Sequence, residues 1–119
     1  MEDAVKYFVT LLNQVKLFHW TTTSYAMHKA LDGLHDSLSP LVDQFIESYI
    51  GHFKQQPVKV FKVKIELTSN AANARKFLET QRDTLTNMVK DYKTSPGLEN
   101  ILAEMVALFD NTIYLSNLH

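Results

Sequence analysis

The sequence has no cysteine among its 119 residues. That absence excludes a disulfide framework, thiolate metal sites and thiol nucleophiles, so any metal must be held by oxygen and imidazole. Nor is there an excess of one charge. Twelve Lys and Arg against thirteen Asp and Glu give a formal net charge of -1, with no concentration of charge in either tail. Such a balance offers no overall attraction to nucleic acid or anionic lipid, and the expectation is that DNA binding is weak or absent. No run approaches the roughly 20 apolar residues that a membrane span needs. Met1-Glu2-Asp3 leads straight into helical periodicity, without a basic and then apolar signal segment. No membrane association and a cytoplasmic location are therefore expected. There is no internal repeat and no low-complexity tract. What remains is an ordinary globular balance, 45% hydrophobic and 21% charged, in a chain long enough for one core and too short for two, so residues 1–119 are read as a single domain.

Helical periodicity dominates the chain. From Ala4 to about Trp20, Val5, Phe8, Leu12 and Val15 recur at helical spacing, and Ala4, Leu11 and Phe18 widen the stripe. The run Thr21-Thr22-Thr23-Ser24 is rich in N-cap residues, so it ends one helix and starts the next. A second helix runs from about Tyr25 to Ile50, with Leu31, Leu34, Leu38, Leu41, Val42, Phe45 and Tyr49 on one stripe and Gly51 as its stop. Pro40 lies inside it and predicts a bend or a break. Gly51 to Leu67 reads as a crossover, with Pro57 and an irregular pattern through Val58, Val60, Phe61, Val63 and Ile65 that leaves room for a short strand or turn. A third helix is expected from about Ser69 to Tyr92. After Ser95-Pro96-Gly97, a fourth begins with Pro96 in its first turn and continues almost to His119.

Two tight turns and one long connection define the expected fold class: all-α, a ferritin-like four-helix bundle with one long crossover between helices two and three. An up-down bundle is the alternative.

The second helix carries His28, Asp32, His35, Asp36, Asp43 and Glu47, with Lys29 as the one basic residue among them. At about 100° per residue, with His28 at zero, Asp32 falls near 40°, Asp43 near 60° and Glu47 near 100°. The apolar set centres near 270°, so the four ionisable residues face away from the bundle's own core. A solvated acidic face is the plain reading of such a run. Imidazole and carboxylate together also suit Fe(II), Zn(II) or Mn(II). No Glu in this chain is followed three residues later by His, which argues against a metal site built inside one bundle. His19, in Phe18-His19-Trp20, stands at the end of helix one, close to the start of helix two. A histidine there is an ordinary helix-capping or core residue unless other ligands join it.

Taken together these residues resemble the Dps family of miniferritins. The shared pattern is His followed by Trp at the end of the first helix, then His-x3-Asp and Asp-x3-Glu on the second, ten residues apart. Here it reads His19-Trp20, His28 to Asp32, and Asp43 to Glu47. The likeness is close over Leu11 to Gly51 and is otherwise only helical pattern. The connection from His19 to His28 is shorter than is typical of that family, and no lysine-rich extension precedes the first helix. The resemblance implies a ferroxidase that oxidises Fe(II) with hydrogen peroxide or dioxygen. Its dinuclear site would be shared across a two-fold axis: His19, His28 and Asp32 from one chain, Asp43 and Glu47 from its mate. Trp20 would stand beside the centre as a radical interceptor, with a core aromatic as its alternative. Iron is the implied metal and zinc a substitute. A homodimer at least, with a larger cage left open, is the implied assembly. The contrasting expectation is a non-catalytic helical dimerisation module whose metal site is vestigial.

Overall fold

The structure is a computed structural model, and it describes residues 2–54, 61–66 and 70–118. It is all-helical among those residues: α1 (Glu2–Thr21), α2 (Tyr25–Phe53), α3 (Ala71–Asp91) and α4 (Pro96–Ser116). None of these helices is long and apolar enough to cross a membrane.

Local chemistry places the helix ends. Ser24 caps α2 by accepting from the Met27 N–H at 3.2 Å, and Asn70 caps α3 by accepting from the Ala72 N–H at 2.8 Å. These side chains satisfy backbone donors that a first helical turn leaves without partners. Pro96 opens α4, where its missing N–H costs nothing. Two expectations for α2 need correction. Gly51 does not stop the helix, which continues to Phe53 and ends on Lys54, a left-handed residue (φ 56°) whose N–H reaches the Ile50 carbonyl at 2.7 Å. Gly51 takes an ordinary helical φ, and the added turn sets Phe53 against Tyr49 with ring centroids 4.5 Å apart. Of the bend or break expected at Pro40, the break does not occur, and the helix runs through it. Pro40 is exposed, so the carbonyl deprived of a partner one turn earlier can turn to water. The third helix begins after Asn70, and Ser69, Val58, Val60, Pro57 and Leu67 lie outside the described residues. Residues 61–66 form no strand.

The four helices close into a ring. α2 packs against α1 and α4, and α3 packs against α4. The ring is completed by Phe18 against Phe77, with centroids 5.2 Å apart, and by the Tyr7 hydroxyl donating to Gln81 Oε1 at 2.7 Å. Phe8 meets Phe45 near one end of α1, and His19 meets His28 near the other, so α1 and α2 are antiparallel. The start of α4 lies beside Gln44, Ser48 and His52 while Leu115 and Leu118 lie beside Tyr25, so α2 and α4 are antiparallel too. Arg82 to Asp110, 3.2 Å, joins the α3–α4 hairpin. α2 and α3 thus run in the same direction, which two helices in sequence can do only if the chain between them crosses the length of the bundle. This is the expected one-crossover arrangement.

The crossover is clipped to α1 by a buried amide: Gln14 Nε2 donates to the Glu66 carbonyl and Gln14 Oε1 accepts from the Glu66 N–H, both at 2.8 Å. The core is a single cluster around the fully buried Phe8, Phe45 and Phe109, packed with Leu31, Leu38 and Leu102. Burying each such side chain contributes about 1.5–3 kcal/mol. Since the apolar stripe of α2 is wholly used in that core, its opposite face is left to carry chemistry.

Candidate functional site

The turn Thr22–Ser24 brings His19 and His28 together. His19 is buried and His28 half-buried. Their rings stack with centroids 4.0 Å apart and 18° between planes. Each Nδ1 lies 2.8 Å from the main-chain carbonyl of the other residue. A carbonyl oxygen can only accept, so each Nδ1 must carry the proton and donate. In the neutral ring that leaves Nε2 bare, a lone pair free for a metal or a proton. A hydrogen bond from the far ring nitrogen is also the feature that orients histidines as metal ligands. The short turn therefore does not hold His19 away from His28.

Asp32, one helical turn after His28, places Oδ1 3.8 Å from His19 Nε2. That is too long for a hydrogen bond. It does match a nitrogen and an oxygen each roughly 2 Å from one ion at a wide angle. The two imidazoles do not converge in the same way, because near-parallel rings 4.0 Å apart carry lone pairs in separate planes. Among the described residues, no group of three His, Asp or Glu side chains in one chain could hold an ion.

Asp43 and Glu47 lie further along α2, exposed and one turn apart. Asp43 holds the Glu47 carboxyl above its usual range, first by a side-chain hydrogen bond and then by charge repulsion. Such a pair is an electrostatically unfavourable arrangement that a cation would relieve. Asp32 and Asp43 are roughly 16 Å apart along the helix axis at 1.5 Å per residue, so one chain cannot bring its two groups to one ion. The two groups are mirror-placed. His28 and Glu47 are equally far from a point between Ser37 and Leu38, and so are Asp32 and Asp43.

Trp20 is 67% exposed, which overturns its reading as a core aromatic. Lys16 Nζ sits 5.9 Å from its ring centroid. Lys16 is also near His35, whose imidazole is pushed below its ordinary range first by burial and then by that ammonium, against the opposing pull of Asp36 and Asp32. Sequence reasoning missed Lys16, although its four-residue spacing from Trp20 is the signal of a shared helix face. Tyr25, 76% exposed, lies over His28 with centroids 6.5 Å apart. Its three-residue spacing from His28 is the same signal of a shared helix face.

Residues 19–115 match the model of a family of unknown function, DUF5856. The matched span begins at His19 and includes Trp20, His28, Asp32, Asp43 and Glu47. The chain is also 25% identical over 100 residues to an uncharacterized 14.6 kDa protein in the mobD-ri intergenic region of Enterobacteria phage T4, an alignment covering 84% of this chain and 74% of that protein. No solved structure matches the chain significantly.

Proposed function

The chain belongs to the DUF5856 family, and we propose that it is a ferroxidase that takes Fe(II) as substrate at a site completed between two copies of itself. The observation that carries this reading is the reciprocal lock of His19 and His28, which leaves both Nε2 atoms as bare donors at the edge of an outward carboxylate stripe. Mixed imidazole and carboxylate donors suit Fe(II) and accept zinc in its place.

A two-fold axis through the point between Ser37 and Leu38 sets His28 of one chain against the partner's Glu47, and Asp32 against the partner's Asp43. Each site then gathers two imidazoles and three carboxylates. Because the imidazole planes do not converge, each ring serves a different ion, as a pair of ions about 4 Å apart requires. Hydrogen peroxide takes one electron from each of two Fe(II) ions. Its O–O bond breaks, and with two protons it leaves two waters and two Fe(III). The carboxylates supply the negative charge that favours the more highly charged product. The exposure of Trp20 beside this end of the bundle supports a role as electron donor to a stray hydroxyl radical.

One observation favours a second reading: among the described residues of a single chain no three ligands meet, as in a helical dimerisation module with a vestigial site. The two separate on one experiment. Native mass measurement with and without Fe(II), coupled to peroxide-driven oxidation, should give a dimer or larger assembly with bound iron and turnover. A monomer that oxidises iron would overturn the shared site, and a dimer with no bound iron would establish the vestigial reading.

A further inference from the structure

The ring of helices is uneven. α2 packs along α1 and α4, and α3 along α4, but α1 and α3 have no comparable packing and are bridged by Phe18 on Phe77 and by Tyr7 on Gln81. All four bridging residues line a cavity of about 690 Å³. It is bordered by α1 from Tyr7 to Phe18, roughly 16 Å at 1.5 Å per residue. α3 borders it from Asn73 to Gln81, and the crossover supplies a third wall with Lys64 and Glu66. That third wall is anchored, because the buried Gln14 amide spends both its ends on the Glu66 backbone. No residue of the α2 carboxylate stripe is among the described lining residues.

The walls divide by chemistry. Leu11 and Phe18 belong to the buried core, and Phe77 packs against that core. Tyr7 adds its ring, while its hydroxyl is spent on Gln81. Burial pushes that hydroxyl's pKa up, so Tyr7 adds no negative charge. The charges come from the other two walls: Lys76 on α3, and Lys64 and Glu66 on the crossover, all three exposed. None of the described ion pairs includes any of them. Two ammoniums and one carboxylate leave the cavity one positive charge in excess, beside an apolar surface.

We propose that this cavity binds a small amphipathic carboxylate, with its apolar body against Leu11, Phe18 and Phe77 and its acid group taken by Lys64 and Lys76. Charge complementarity selects a monoanion. One added negative charge brings the cavity to neutrality, a dianion overshoots, and a cation meets two ammoniums. The start of α3 does not hold the acid group, since the Ala72 and Asn73 N–H groups already donate to Asn70. The volume falls in the range of small-ligand sites, which in helical bundles lie between helices and join an apolar lining to a few polar groups. Ammonium groups on facing walls can meet one carboxylate from two sides, and the flexible lysine stems allow it.

The test is a titration of the full chain followed by its backbone amide signals at constant ionic strength, with octanoate, 1-octanol and octylammonium, three probes that share one chain. Saturable shifts along α1 from Tyr7 to Phe18 and along α3 from Asn73 to Gln81 are expected with octanoate. Octanol should bind more weakly, and octylammonium should not bind. Lys64→Gln and Lys76→Gln should each weaken octanoate about threefold, the loss of one exposed charge contact, and leave octanol unchanged. Both side chains are exposed and outside the described ion pairs, so the fold should be unaffected. Thr80→Trp, at an exposed lining position, should fill the cavity and abolish binding. Octanol binding as tightly as octanoate, lysine variants with unchanged octanoate affinity, or no saturable shift along α1 and α3 would each overturn the site.

Discussion

The two ends of α2 carry ligands of the same proposed site, but they are prepared in opposite ways. At the N-terminal end, His19 and His28 are aimed by two main-chain carbonyls and by their own stacking, and the hydrogen bonds that orient them also help close the α1–α2 turn. At the C-terminal end, Asp43 and Glu47 are exposed, and Asp43 makes the charge on Glu47 less favourable. One half-site is part of the fold. The other costs the fold something, and has no counterion of its own among the described ion pairs. A site shared between chains explains the division, because the preformed half of each copy receives the unsettled half of the other.

The largest expected effect tests that sharing. His28→Ala and Glu47→Ala should each lose nearly all peroxide-driven Fe(II) oxidation as pure dimers, because every site lacks one ligand. Refolded together, with mixed dimers confirmed by mass, they should recover part of the activity, since both defects fall in one site and the other is intact. Confirmed mixed dimers without recovery would place each site within one chain.

Cross-linking sharpens the comparison by testing its geometry. Tyr25 and Ile50 are also equidistant from the point between Ser37 and Leu38, so a two-fold axis there sets Tyr25 against the partner's Ile50. The chain has no cysteine of its own. Tyr25→Cys combined with Ile50→Cys should give a disulfide-linked dimer on mild oxidation, and neither single variant should. Within one chain these positions are roughly 37 Å apart along the helix, far beyond the reach of a disulfide. A double variant that remains uncrosslinked would remove this register, whatever the protein does with iron.

Stability without metal should divide the two ends next. His28→Ala removes the donor to the His19 carbonyl and the stacking partner of a buried ring, at a cost of about 1–3 kcal/mol in urea unfolding. Asp43→Ala, at an exposed position, should change stability by less than about 0.5 kcal/mol. Equal costs would mean that the two ends do not differ in preparation.

The smallest effect concerns sign. The folded-state pKa of Glu47 is raised, so the folded protein holds that proton more tightly than the unfolded chain does. Its contribution to stability therefore falls as pH rises through the carboxylate range. Metal-free Glu47→Gln should melt slightly higher than the parent at neutral pH, and the gain should vanish in acid, where both carboxyls are protonated. A gain that persisted in acid would have another origin.

Four helices, the starts of α2 and α4 and the two faces of α2 were legible in the sequence, because each depends on neighbours within a turn or two: the spacing of Phe8, Leu12 and Val15, the oxygen of Ser24, the ring of Pro96. The long connection was legible too, but its length left an up-down bundle open, and the packing of α2 and α3 against α4 decides for the crossover. Gly51 misled, and the break allowed at Pro40 does not occur, because a local preference worth a few kcal/mol or less does not by itself end a helix. It took the packing of the helices to lock His19 and His28 through each other's carbonyls and to leave Trp20 in solvent. Those facts depend on which residues of different helices meet, and on how the chain turns between them, and a one-dimensional period carries neither.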